Sequence, residues 1–185
     1  VVACNTATSA AIETLRAELT IPVIGMEPAV KPAVTKYGAE KVFVMATPAT
    51  LRLRKFNDLM SFFSESAQIL PIPCPGLMEI IERAVVSGPE IDAYLEQVFD
   101  GRKPGRGDVV VLGCTHYVFL KRYLGAYFGE GVEVIDGNTG TVNQLIHRLR
   151  ENDSLCGSRE KGEVNTYTSG DESLFMPVFQ RLLTL

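Results

Sequence analysis

Two cysteines stand in matching contexts. Cys4 follows Val1, Val2 and Ala3 and precedes Asn5 and Thr6; Cys114 closes the run Val109–Gly113 and precedes Thr115 and His116. Each time a short apolar segment ends in a thiol with hydroxyl and amide neighbours, and a helical pattern follows. A cysteine at a helix start meets free backbone N–H groups and the positive end of the helix dipole, and both favour thiolate. A thiolate can take a proton and a thiol can return one. His116, two residues past Cys114, can activate that thiol or donate a proton. A single cysteine in an apolar context is more often a small buried hydrophobe. The repeat of the pattern, with polar residues directly after each thiol, favours chemistry.

Other candidates are less specific. Thr47 and Thr50, in the stretch ATPAT, sit in a first helical turn, where N–H groups and hydroxyls can hold a carboxylate or simply cap the helix. Glu82 follows an apolar helix face and reads as a supporting acid or a surface charge. Asp136 is a strand-end carboxylate or a turn residue. Cys74 in PIPCPG, Cys156 in a polar loop and His147 in a helical pattern read as bystanders. Metal binding fits poorly, because no C-x-x-C or H-x-x-x-H partner accompanies Cys114 and His116. A cysteine phosphatase wants an arginine six residues after its thiol, where Ala10 and Leu120 stand. No Walker or Rossmann glycine pattern is present. A cysteine protease would leave the second thiol segment unexplained. Neither metal nor cofactor is expected.

The elements that must position these residues follow from hydrophobic periodicity. Strands are expected at Val1–Ala3, Ile21–Gly25, Lys41–Ala46, Gln68–Ile72, Asp108–Leu112, Val132–Ile135 and Glu163–Thr168. Helices are expected after Asn5 or Thr6 as cap, from Pro28 to Gly38, from Pro48 to about Phe63, and over Leu77–Val86 and Pro89–Phe99. Three more are expected over Tyr117–Phe128, Thr141–Arg150 and Ser173–Leu183. This alternation predicts an α/β fold of parallel-rich sheets flanked by helices. Ligands in such folds sit at the carboxyl ends of strands, where Cys4, Thr47 and Cys114 all fall. The distance in sequence between the two thiols fits two lobes with one cysteine from each across a cleft.

The 185 residues carry a net charge of −4. No basic stripe with interleaved aromatics points to nucleic acid. No apolar run has the length of a membrane span, and no signal-peptide pattern opens the chain. Four scattered cysteines in a core-rich chain read as reduced thiols of a cytoplasmic protein. The chain opens on Val1 inside an apolar run, so a preceding segment is expected.

The stretches ACNTAT (Ala3–Thr8) and GCTHY (Gly113–Tyr117) resemble the glutamate racemases, a branch of the cofactor-independent aspartate/glutamate racemase superfamily. VIGMEPA (Val23–Ala29), ATPAT (Ala46–Thr50) and the segment Cys74–Glu82 are similar too. The resemblance runs from Val1 to about Ile146, and Thr6 with His116 favours the glutamate branch. It implies interconversion of L- and D-glutamate, supplying D-glutamate for peptidoglycan, with Cys4 acting on the D-isomer and Cys114, supported by His116, on the L-isomer. Asn5, Thr6, Thr47, Thr50 and Thr115 would hold the substrate, and Glu82 matches a supporting acidic position. The implied fold has two similar lobes, residues 1–28 with 137–185 and residues 29–136, with the active site between them. A homodimer is compatible with it. Two departures stand out. The family's leading aspartate–serine pair and Pro-Tyr-Gly loop are not in this chain. DGN stands at Asp136–Asn138, where the family reads Asp-Ser-Gly or Asp-Ser-Ala. The alternatives are a racemase of a related acid such as aspartate, and a catalytically dead binding or interaction module on the same scaffold.

Overall fold

Four short aliphatic runs form one parallel sheet in the computed structural model, which describes residues 1–158, 160 and 162–184. The strands are β1 (Lys41–Ala46), β2 (Gln68–Pro73), β3 (Val109–Leu112) and β4 (Glu133–Asp136), in the order β2-β1-β3-β4. Side chains alternate between faces, and both faces are apolar. Phe43 and Met45 of β1 join Val110 and Leu112 of β3 in one core cluster, while Val42, Val44 and Ala46 join Val109 and Val111 in another. A strand covered on both faces reads as an unbroken hydrophobic run, as KVFVMA and VVVL do.

Helices supply the cover. In chain order they are α1 (Asn5–Glu18), α2 (Val30–Thr35), α3 (Pro48–Leu51), α4 (Arg54–Phe63), α5 (Leu77–Glu82), α6 (Pro89–Phe99), α7 (Lys121–Phe128), α8 (Asn138–Glu151) and α9 (Glu172–Leu183). Residues of α5, α6 and α7 pack on the Phe43 face, and those of α2 and α4 on the other. No helix of the described residues is long and apolar enough to cross a membrane. The α/β class read from the sequence is the one observed.

Several boundaries differ from expectation. The helix expected over Pro48–Phe63 is two helices. Arg52 and Leu53 donate to Ala49 and Thr50, a tightened last turn, and Leu53 is extended. The helix expected to Val86 stops at Glu82, because Ala84 takes a left-handed φ of 59°. Tyr117–Leu120 is a 3-10 turn leading into α7. Helix α8 starts at Asn138 rather than Thr141. Val1–Ala3 and Ile21–Gly25 contribute one isolated parallel bridge, Val2 to Gly25. Glu163–Thr168 is not a strand. Val164 and Tyr167 are largely exposed, and no described strand lies alongside to take up the backbone hydrogen bonds a strand needs.

The connectivity makes the opening. From β1 the chain leaves for β2 on one side; from β3 it leaves for β4 on the other. The carboxyl ends of β1 and β3 therefore lie side by side while their continuing chains diverge, which leaves a crevice. Gly113 seals its base: its N–H donates to the Met45 carbonyl at 2.8 Å, and a β-carbon on Gly113 would lie 2.8 Å from that oxygen. Replacing Gly113 by Ala is expected to destabilise the fold by about 1–3 kcal/mol, the usual cost of forcing a methyl into a filled space. Chemical denaturation measures it, with Gly140→Ala, where the space is open, as the mild control.

Candidate active site

Both edges of the crevice carry candidate residues. Thr47 follows β1 and caps α3, its hydroxyl accepting from the Thr50 N–H at 3.2 Å. Cys114 follows β3 by two residues and stands just before the 3-10 turn. The third side comes from α1. Its cap is Cys4 itself, not Asn5 or Thr6 as expected, with the sulfur accepting from Ala7 N–H at 3.5 Å.

Buried Thr8 fixes that turn. Its hydroxyl donates to the Val2 carbonyl at 3.1 Å and accepts from Met26 N–H at 3.0 Å. Gly25 opposite leaves it room, since a β-carbon there would lie 2.5 Å from the Thr8 methyl. Helix α1 then meets α3 through the Thr6 and Thr50 hydroxyls, 2.6 Å apart. Asn5 is 3% exposed, and its side-chain oxygen has no partner among the described residues. An orphaned buried carbonyl next to a thiol is costly unless a ligand donor meets it.

Cys114 is half-buried, and burial pushes its thiol up; the charge of Cys4 pushes it the same way. The His116 and Tyr117 backbone N–H groups and the Thr115 hydroxyl oppose that shift without cancelling it. This corrects the expectation of a lowered thiol at this position: desolvation outweighs the donors, and no helix proper starts there. His116 Nδ1 lies 3.9 Å from Cys114 Sγ, and its Nε2 lies 3.1 Å from Glu82 Oε1. Glu82 accepting Nε2–H leaves the Nδ1 lone pair turned to the thiol, so the three groups form a carboxylate–imidazole–thiol relay. Glu82 reaches this position because α5 ends there.

The remaining candidates separate. Asp136 accepts from Lys121 Nζ and from Asn138 N–H, each at 2.8 Å, a structural use that pairs a cation and holds the first N–H of α8. His147 is an exposed partner of Glu151 on α8. Cys156 is exposed and Cys74 buried. Among the described residues no group of three or more His, Cys, Asp or Glu is arranged to hold a metal ion.

Two features were not anticipated from sequence. Tyr117 is buried and donates its hydroxyl to the Cys74 carbonyl at 3.1 Å, bracing the turn behind Cys114; an aromatic after Cys-Thr-His gave no distinctive signal. A cavity of about 540 Å³ also lies under α9, with Glu82, Thr115 and His116 at its polar end and Phe119, Phe175 and Phe179 on its apolar wall. Neither cysteine lines it. The amphipathic stripe of α9 was readable; what it covers was not.

Known proteins share this sequence and arrangement. The Asp/Glu/Hydantoin racemase family model matches residues 1–145. The glutamate racemase of Clostridium novyi is 47% identical over 174 residues, covering 94% of this chain and 67% of that protein. The glutamate racemase of Clostridium acetobutylicum is 44% identical over 186 residues, covering 100% of this chain and 72% of that protein. A crystal structure of a glutamate racemase isoform from Bacillus anthracis superposes with a TM-score of 0.79 at 25% identity, over 98% of this chain and 68% of that one. The Escherichia coli glutamate racemase, solved with L-glutamate and the activator UDP-MurNAc-Ala, gives 0.75 at 25% identity over 97% of this chain and 68% of that one.

Cys74 generates a test of its own. Burial, the first cause, raises its pKa from 9.0 to about 12, so the folded protein keeps the thiol neutral where an unfolded chain ionises it. That stabilisation is present below pH 9.0 and is lost as pH rises towards about 12. At roughly 1.4 kcal/mol per unit, the loss is on the order of a few kcal/mol. Denaturation curves across this window should show stability falling, with a shallower fall in Cys74→Ala.

Proposed function

The chain belongs to the Asp/Glu/hydantoin racemase family, and from that premise we propose that it interconverts L- and D-glutamate with two opposed cysteines and no cofactor. The observation that carries the reading is the 2.6 Å contact between Thr6 and Thr50. It ties the turn bearing Cys4 to the carboxyl end of β1, beside the β3 end that bears Cys114. The names of the similar proteins support glutamate as the substrate.

The chemistry is a proton exchange at one carbon. For L-glutamate, the Cys114 thiolate takes the α-proton and the electron pair delocalises into the α-carboxylate. The Cys4 thiol then delivers a proton to the opposite face, which gives D-glutamate, a Cys114 thiol and a Cys4 thiolate. The reverse direction uses the same groups in exchanged roles. Mutual repulsion suits this division, since charge on Cys4 disfavours charge on Cys114 and one thiolate at a time is what two-base transfer needs. The Glu82–His116 pair supports Cys114 as it gains and loses its proton. Asn5, Thr6, Thr47 and Thr115 hold the substrate's polar groups around the reacting carbon. Desolvation makes those hydrogen bonds strong enough to help stabilise a carbanion that has no electron sink beyond its carboxylate.

On this reading the molecule has two lobes, residues 1–28 with 137–185 and residues 29–136, and the cleft between them is the active site. The close approach of the two crossing passages supports it: a β-carbon on Gly137 would lie 2.7 Å from the Glu27 carbonyl oxygen. The enzyme works in the cytoplasm, where its thiols stay reduced, and supplies D-glutamate for peptidoglycan.

Incubating the full-length protein with L-glutamate in D₂O tests the reading. D-glutamate carrying α-deuterium is expected; neither product appearing would sink it, and saturable binding without exchange would identify a dead binding module. A substrate panel separates glutamate from aspartate. Cys4→Ala and Cys114→Ala should each abolish turnover of both isomers. Because the Cys114 thiol is raised, kcat/KM for L-glutamate should keep rising with pH beyond the usual cysteine range. Glu82→Gln should lower kcat by roughly tenfold, below the usual contribution of a group that transfers the proton itself.

A further inference from the structure

Glu82 and His116 stand 34 residues apart in the sequence and meet at 3.1 Å. Glu82 is exposed and His116 half-buried. A pair open to water adds little attraction of its own, because solvent screens it and both side chains lose freedom. Their meeting therefore does not hold the two backbones in register. Something buried must do so.

A buried hydrogen bond spans the two segments. Tyr117 follows His116 directly, and its N–H donates to the Cys114 carbonyl at 3.1 Å, so its ring, the thiol and the imidazole belong to one turn. Its hydroxyl donates at 3.1 Å to the Cys74 carbonyl, 43 residues earlier. Both residues are buried. The Cys74 N–H donates to the Ala46 carbonyl at 2.9 Å, which fastens the same residue to the end of β1. From there the chain passes through Pro75 and Gly76 into α5, with Gly76 at a φ of 78° that suits glycine. Leu77 and Ile81 are fully buried and fix the roll of this helix, which ends at Glu82. The path from the Tyr117 hydroxyl to the Glu82 carboxylate is short: one carbonyl, one tight turn and a helix of six residues. Burial, the first cause, pushes the Tyr117 hydroxyl above the ordinary tyrosine range, so it stays a donor while cysteine thiols titrate.

We propose that Tyr117 is a positioning residue for proton transfer at Cys114. By holding the Cys74 carbonyl it sets α5 against the turn that carries Cys114 and His116, and so lays the Glu82 carboxylate on His116 Nε2. That contact keeps the proton on Nε2 and turns the Nδ1 lone pair to the sulfur. The Tyr117 hydroxyl itself meets no reacting atom. The inference rests on the racemase reading. Tyr94, from α6, donates to the next carbonyl, that of Pro75, at 2.9 Å. It braces the entry to α5 without reaching the thiol-bearing turn, which makes it the control.

The test uses the full-length protein with Tyr117→Phe, which keeps the ring and removes the hydroxyl, alone and combined with Glu82→Ala, which removes the acceptor. KM and kcat are measured in both directions, with melting temperature as the check on folding. Tyr117→Phe should lower kcat by about fivefold, within the loss expected for Glu82 itself. It should leave KM within about twofold, since the groups that hold the substrate are untouched. With Glu82→Ala already present, Tyr117→Phe should change kcat by less than about twofold. Tyr117→4-aminophenylalanine, which restores a donor, should recover most of the loss. Tyr94→Phe should lower the melting temperature and keep kcat within about twofold of the parent. The assignment is overturned if Tyr117→Phe keeps the parental kcat, if its loss is undiminished without Glu82, or if Tyr94→Phe loses as much. Should Tyr117→Phe not fold, the 4-aminophenylalanine variant decides, because an aniline N–H is a weaker donor than a phenol. Its kcat should then fall by about twofold where Glu82 is present and not where Glu82 is absent, and any other pattern overturns the assignment. A parent protein that exchanges no α-proton defeats the racemase reading and this inference with it, whereas an active parent with an unaffected Tyr117→Phe defeats the positioning role alone.

Discussion

The hydrogen bond from Gly113 to Met45 marks the constraint on which the rest depends. Two adjacent parallel strands end together there, and their chains part in opposite directions. Nothing can fill the space between diverging connections, so a crevice is unavoidable. Whatever follows β1 and β3 must line it. The residues that follow are Thr47 on one side and Cys114 with Thr115 and His116 on the other. Glycine at 113 lets the two backbones approach closely enough for the floor to be peptide rather than side chain.

Helix α1 closes that crevice from a different part of the chain. Its placement depends on small groups. The Thr8 hydroxyl ties Val2 to Met26, Gly25 leaves the space that Thr8 needs, and Thr6 meets Thr50. Such contacts tolerate little volume change, which suits a turn that must hold a sulfur in place. Desolvation sets the electrostatics. It raises Cys114 more strongly than the surrounding donors lower it, and the His116 imidazole and Glu82 carboxylate are lined up beside that thiol.

The elements that sequence reading located best are the ones whose signal is local. KVFVMA and VVVL were legible as strands because each is buried on both faces. Pro89–Phe99 was legible because proline starts it and its apolar spacing is helical. The misreadings share a cause. Ala84 in a left-handed conformation, the tightened turn at Arg52 and the unpaired stretch at Glu163–Thr168 are decided by what packs against them or fails to. Cys4 as its own helix cap was missed because sulfur is a weak acceptor and Asn5 and Thr6 looked like better ones. Asn5 is instead buried with its oxygen unpartnered, and Thr6 reaches across to Thr50.

Residue order alone therefore determined the α/β class, the family and the short set of groups able to move a proton, since these follow from periodicity and from local runs such as ACNTAT and GCTHY. Only the folded chain decided how those groups are used. It put Thr50 out of reach of the opening, turned Asp136 to Lys121 and Asn138, brought Glu82 onto His116, and pushed the Cys114 thiol up instead of down. The physical reason is that burial and hydrogen-bond partners are relations between segments far apart in sequence, and a linear pattern carries no record of which segments meet.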